Sequence, residues 1–125
     1  MTDVCHGVLL VEDDEAIRLA IADALLDEGF VVETACNGAE ALDHLRRRSK
    51  LPCVVLLDLM MPIMDGRQFR AEQEKDPVLS QIPVVVLTAD ASAERKAAEL
   101  NAAAGIAKPL RLATLLDHVD RFCRP

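Results

Sequence analysis

At 125 residues the chain fits one compact domain, residues 1–125, long enough for a single two-sided core. A net charge of -7 and a pI near 4.9 argue against direct nucleic-acid binding, which needs clustered Lys and Arg, and no apolar run approaches the roughly 20 residues of a membrane helix. The chain is therefore expected to be soluble and cytoplasmic, with neither nucleic acid nor membrane as a direct partner.

The segment Gly7 to Val11 reads as a buried strand that ends in acid, Glu12-Asp13-Asp14-Glu15. Ile17, Ile21 and Leu25 recur at helical spacing, with Asp14 placed to cap and Gly29 to stop a helix over about residues 15–28. Phe30 to Ala35 gives a second strand, and Asn37-Gly38 turns into a helix carrying Ala41, Leu42 and Leu45. Its basic end, Arg46-Arg47-Arg48 with Lys50, reads as a solvated carboxyl terminus favoured by the helix dipole. Val54 to Leu57 is a third strand, apolar on both faces, and Asp58 closes it.

A short polar helix follows over about residues 67–75, anchored by Phe69. Pro83 to Leu87 is the fourth strand, and Thr88 sits at its exit. An Ala-rich helix over 91–100 has only Leu100 as a large apolar residue and is expected to pack lightly, with Asn101 ending it in the left-handed conformation. Ala104 to Ala107 is a short fifth strand leading to Lys108-Pro109, and Leu112, Leu115, Leu116, Val119 and Phe122 mark one face of a last helix. Five strand–helix units imply an α/β fold, a doubly wound parallel sheet with helices on both faces.

Four strand exits then deliver Glu12 with Asp13, Asp58, Thr88 and Lys108 to one edge, where open α/β sheets bind ligands. Crowded carboxylates repel one another unless a cation neutralises them, so a hard divalent ion is implied, and magnesium suits sites that share positions with phosphate oxygens. Lys108 adds positive charge and Thr88 a hydroxyl donor. Asp58 is thus placed to act as a nucleophile that forms an aspartyl phosphate.

Cys5, Cys36, Cys53 and Cys123 are widely scattered, with no Cys-x-x-Cys pair, and read as buried or incidental thiols in a reducing compartment rather than a disulfide framework. His6, His44 and His118 are equally dispersed and do not suggest zinc.

The motifs Val11-Glu12-Asp13-Asp14 with Ile17-Arg18, Asp58-Leu59-Met60-Met61-Pro62 through Asp65-Gly66, Leu87-Thr88-Ala89 and Lys108-Pro109-Leu110 resemble those of response-regulator receiver domains of two-component signalling, over essentially the whole chain. The resemblance implies a flavodoxin-like sheet of strand order 2-1-3-4-5. It also implies Asp58 as phosphoacceptor and Thr88 as the switch hydroxyl. Lys108 would be the phosphate partner, followed by a cis peptide bond to Pro109. Magnesium would be held by Asp13, Asp58 and the backbone carbonyl of Met60, with Glu12 acting through water.

A domain of this kind is not a turnover enzyme, although it catalyses its own phosphorylation and dephosphorylation. Its donor would be a histidine kinase or histidine phosphotransfer protein. Its output would be a partner-binding surface around residues 88–123, read by a downstream protein, in a monomer or weak dimer. The single-domain type is expected, since no output segment follows Pro125. Met60 and Asp90 occupy positions that tune the phosphorylated lifetime in such domains.

Three other readings fit less well. A phosphatase with a strand-end Asp nucleophile wants a second acid where Met60 stands, and a flavin-binding domain wants a phosphate cradle where Glu12-Asp13-Asp14 would repel it. A constitutive interaction module of the same fold would lack the intact acids. One departure from the receiver pattern stands out. The fifth strand carries Gly105 where the family has an aromatic residue, and this glycine is expected to leave a gap beside the small residues Ala93, Ala97 and Ala98.

Overall fold

The computed structural model describes residues 7–47 and 50–123, so Cys5, His6 and Arg48 lie outside the described residues. Its elements run β1 (Gly7–Val11), α1 (Glu15–Asp27), β2 (Val31–Ala35), α2 (Gly38–Arg47), β3 (Val54–Asp58), α3 (Gly66–Glu74), a 3-10 turn (Leu79–Gln81), β4 (Val84–Thr88), α4 (Ala93–Glu99), β5 (Ala104–Ala107) and α5 (Leu112–Cys123). All five strands are parallel, in the order β2-β1-β3-β4-β5, which is the flavodoxin-like arrangement.

The alternation of side chains along the inner strands explains why both faces are apolar. Val8, Leu10, Val54, Leu56, Val85 and Leu87 face α1 and α5, meeting Ile21, Leu25, Leu115 and Val119. Leu9, Val11, Val55, Leu57, Val84 and Val86 face α2, α3 and α4, meeting Leu42, Leu45, Phe69 and Ala97. Among the described residues, no helix is long and apolar enough to cross a membrane.

Local signals set the helix ends. Asp14 caps α1 by accepting from the Ile17 amide at 3.0 Å. At α3, Asp65 and Gln68 form a reciprocal capping box, which starts the helix at Gly66. Gly29 at φ 92° and Asn101 at φ 54° take the left-handed conformation where α1 and α4 stop. α4 is shorter than its alanine run suggests because Asp90 claims the preceding turn, accepting from the Ser92 amide at 2.8 Å and its hydroxyl at 2.6 Å.

Three features depart from the sequence reading. First, α3 is held by more than Phe69: Arg70 and Gln73 are buried on the same helix. Arg70 donates to the carbonyls of Leu100 at 2.9 Å and Asn101 at 2.7 Å, while the Gln73 amide donates to Leu79 and Ile82 at 2.8 and 3.1 Å. Polar side chains pay for burial only when bonded, and here they tie α3 to the end of α4 and to the 3-10 turn.

Second, there is no gap at Gly105. A Cβ built there would stand 2.2 Å from the Ala93 carbonyl oxygen and 3.2 Å from the Ala97 Cβ. The small residues of α4 do not hold it loosely; they let its backbone close directly onto β5, with Ala93 and Ala97 buried. Third, Cys53 and Cys123 form a disulfide, with Cα atoms 5.4 Å apart. The thiol reading of these two is therefore wrong, because parallel strands bring the start of β3 beside the end of α5. Cys36 is a free thiol, half-buried and bonded to Glu40 at 3.2 Å.

Candidate functional site

The carboxyl edge of the sheet collects the charges that the strand exits deliver. Glu12 follows β1 and is 1% exposed, Asp58 closes β3 at 3%, and Thr88 closes β4 at 5%. Asp13 is exposed beside them. Ligand atoms from Glu12, Asp13 and Asp58 all lie within 4.8 Å of one another, so the donor set fits a hard divalent ion.

Lys108, arriving from β5, reaches into this cluster. Its Nζ stands 2.9 Å from Glu12 Oε1 and 3.4 Å from Asp58 Oδ2. The Lys108–Pro109 peptide bond is cis. On the other oxygen, Asp58 Oδ1 accepts from the Met60 amide at 3.3 Å. Met60 itself is exposed in the loop after β3. Thr88 Oγ1 accepts from the Asp90 amide at 3.1 Å, so its hydroxyl is linked to the turn that opens α4.

One lysine does not balance three acids. Burial first and neighbouring Glu12 second raise the Asp58 pKa from 3.8 to about 6, against the opposing pull of Lys108 and the Met60 amide. For Lys108, burial pulls downward, but Glu12 and Asp58 hold its pKa above the usual lysine value. Asp90 is lowered by its bonds from Ser92. The site thus has an electrostatic deficit that a cation relieves.

Sequence reasoning placed Glu12, Asp13, Asp58, Thr88 and Lys108 at this edge, and the structure gathers them there. It overlooked the work of Arg18, whose Nη1 donates to the carbonyl of Glu12 at 3.0 Å and reaches that of Asp13 at 3.4 Å. From the first turns of α1, this arginine grips the turn that carries two acids. Its signal was its place one helical turn after Asp14, on the face that looks back at the loop.

Cation binding by the native state alone should stabilise it by mass action. Magnesium at ten times its dissociation constant is expected to contribute about 1.4 kcal/mol, raising the melting temperature by roughly 5 °C for a domain of this size. Asp13→Ala should erase the rise. Differential scanning calorimetry checks this; an equal rise in the variant would place the ion elsewhere.

Comparisons with known proteins agree with this geometry. A family model described as the response regulator receiver domain matches residues 8–120. The chain is 38% identical over 123 residues to the response regulator MprA of Mycolicibacterium vanbaalenii, covering 94% of this chain and 50% of that protein. It is 41% identical over 84 residues to the response regulator Rre1 of Synechocystis, covering 66% of this chain and 36% of that protein. The chain thus spans half or less of the length of these relatives.

Among solved structures, the chemotaxis response regulator CheY4 of Vibrio cholerae superposes with a TM-score of 0.84 at 31% identity, over 94% of this chain and 98% of that one. The phosphorylated cyanobacterial phytochrome response regulator RcpA superposes with a TM-score of 0.79 at 32% identity, over 95% and 94%.

Proposed function

Because the chain belongs to the response regulator receiver domain family, we propose that it is the phosphoryl-accepting switch of a two-component phosphorelay, with Asp58 as acceptor. The observation that carries this is Asp58 itself. It is a buried carboxylate at the end of the central strand, held by the Met60 amide, faced by Lys108, and within ligand distance of Glu12 and Asp13.

In this reading an oxygen of ionised Asp58 attacks the phosphorus of a phosphohistidine on a kinase or phosphotransfer protein. A P–O bond forms, the P–N bond breaks, and the electron pair leaves with the imidazole. Lys108 then exchanges part of its hold on Asp58 for the phosphoryl oxygens, and the Thr88 hydroxyl turns from accepting the Asp90 amide to donating toward the new anion. Asp13, Asp58 and the Met60 backbone carbonyl, with Glu12 beside them, would hold magnesium, whose charge would screen the carboxylate from the phosphoryl group. Arg18 keeps the acidic turn in place. In hydrolysis a water oxygen bonds to phosphorus, the P–O bond to Asp58 breaks, and inorganic phosphate leaves with the carboxylate restored.

The domain acts as a signalling switch, and its work is on itself rather than on an external substrate. Its proposed setting is the cytoplasm, as a monomer or weak dimer, where the surface around residues 88–123 meets a downstream protein. A small phosphodonor with magnesium should yield one phosphoryl adduct, stable in acid and labile in base, on intact-protein mass spectrometry. Peptide mapping should place it on Asp58, and chelation should prevent it. An adduct that maps to another residue, or survives chelation undiminished, would sink the assignment.

A further inference from the structure

Cys53 directly precedes β3 and Cys123 is the last residue of α5, so their bond lies at the sheet edge opposite Asp58. It joins positions 70 apart in sequence. We propose that this pair is a thiol–disulfide exchange site, opened by a dithiol protein reductant and reclosed by a disulfide oxidant, whose state sets how firmly the carboxyl end of α5 is held on the sheet. The inference rests on the phosphorelay reading, since phosphohistidine donors work in a reducing compartment, where disulfides are usually sensing or catalytic rather than permanent.

The two sulfurs are not equivalent. Cys53 is half-buried, whereas Cys123 is 2% exposed among Leu115 and Val119. Exchange depends on access, so a reductant thiolate attacks the Cys53 sulfur. A mixed disulfide forms there, the S–S bond breaks, and Cys123 leaves as a thiolate that takes a proton. The second thiol of the reductant then attacks the mixed disulfide, releasing Cys53 as a thiol and closing the reductant's own disulfide. Two electrons and two protons pass to the chain, and the reductant is oxidised by the same amount.

Both states are accommodated. The Gly7 carbonyl oxygen lies 2.9 Å from the Cys53 sulfur and 3.9 Å from that of Cys123, an acceptor already in place for a thiol proton. Val119 and Leu115 are buried in the core one and two turns before Cys123, so opening the bond is expected to free the last turn of α5 without releasing the helix. The pair lies at the opposite end of β3 from Asp58, yet Lys108–Pro109 leads into the amino end of the helix that Cys123 ends. Phosphorylation and thiol exchange would thus act on α5 from its two ends.

The test uses the full chain with Cys5→Ser and Cys36→Ser, which removes other pairings. It is equilibrated in glutathione buffers from oxidising to reducing, trapped by alkylation, and read by mass spectrometry and hydrogen exchange. The expected result is reversible opening of the native chain, with amides at the carboxyl end of α5 exchanging on the order of tenfold faster when reduced. Exchange around Glu12 and Asp58 should not change. Cys53→Ala with Cys123→Ala should show the reduced pattern in every buffer. A pair that opens only on denaturation, or reduction that leaves α5 exchange unaltered, overturns the proposal. Phosphodonor labelling of the same samples separates the two readings: normal Asp58 labelling with an inert pair removes only the exchange site, and failed labelling with a working pair removes the phosphorelay on which its regulatory meaning rests.

Discussion

Asp58→Asn is expected to lose phosphoryl labelling entirely and, without metal, to melt at a higher temperature than the wild type above pH 6. Both effects have one origin. The folded-state pKa of Asp58 is raised to about 6 from 3.8, by burial first and Glu12 second. Between those values the folded chain binds more protons than the unfolded chain, so stability falls as pH rises. The contribution is fully present below the lower value and fully lost above the upper one. A shift of this size corresponds to up to about 3 kcal/mol, or up to roughly 10 °C in melting temperature. Asparagine has no charge to desolvate and should remove that slope. Thermal melts of both proteins in chelator from pH 4 to 7 decide the matter, and parallel curves would mean that Asp58 is not the strained group.

Gly105→Ala is expected to destabilise the fold by about 1–3 kcal/mol, the usual range for overpacking a filled site. The added methyl would meet the backbone carbonyl of Ala93 at 2.2 Å, and backbone cannot rotate aside as a side chain does. The strain falls where α4 rests on β5, so the helix should lift before the strand moves. Hydrogen exchange should therefore rise between Ala89 and Asn101 more than elsewhere. A phenylalanine at the same position meets the same obstacle. Since Thr88 is bonded to the Asp90 amide at the entry to this helix, the variant also probes the path by which the acid site reaches α4. A stability change within 0.5 kcal/mol, ordinary for surface positions, would show that α4 yields freely.

The parts of this molecule that the sequence made readable are those where one physical rule dominates. A strand buried on both faces must be apolar throughout, so a carboxylate ending such a run marks its exit, and Glu12, Asp58 and Thr88 could be placed without coordinates. The rest depends on distances that no local pattern encodes. Alanines in α4 look weakly packed when counted by side-chain area, yet their smallness is what permits close approach to Gly105. Arg70 and Gln73 look solvated on a polar helix because their partners are carbonyls outside it, at Leu100 and Asn101 for Arg70 and at Leu79 and Ile82 for Gln73. Cys53 and Cys123 had no spacing signal, since only the sheet order brings residues 70 positions apart together.

The grip of Arg70 makes α4 a cantilever. Its carboxyl end is clamped by two short bonds to Leu100 and Asn101, and the Arg67–Glu99 ion pair at 3.6 Å adds a surface tie at the same end. Its amino end rests on Gly105 and is tethered through the Asp90 turn. Seven residues of helix are about 10 Å long, so a 1 Å rise at Ala93 tilts the axis by roughly 6° while the clamped end scarcely moves. Deflection then grows from Glu99 toward Ala93. A partner that senses the angle of this beam gains most by seating on its amino half, near the exposed Glu94 and Arg95, where a small change at Thr88 is delivered as the largest displacement.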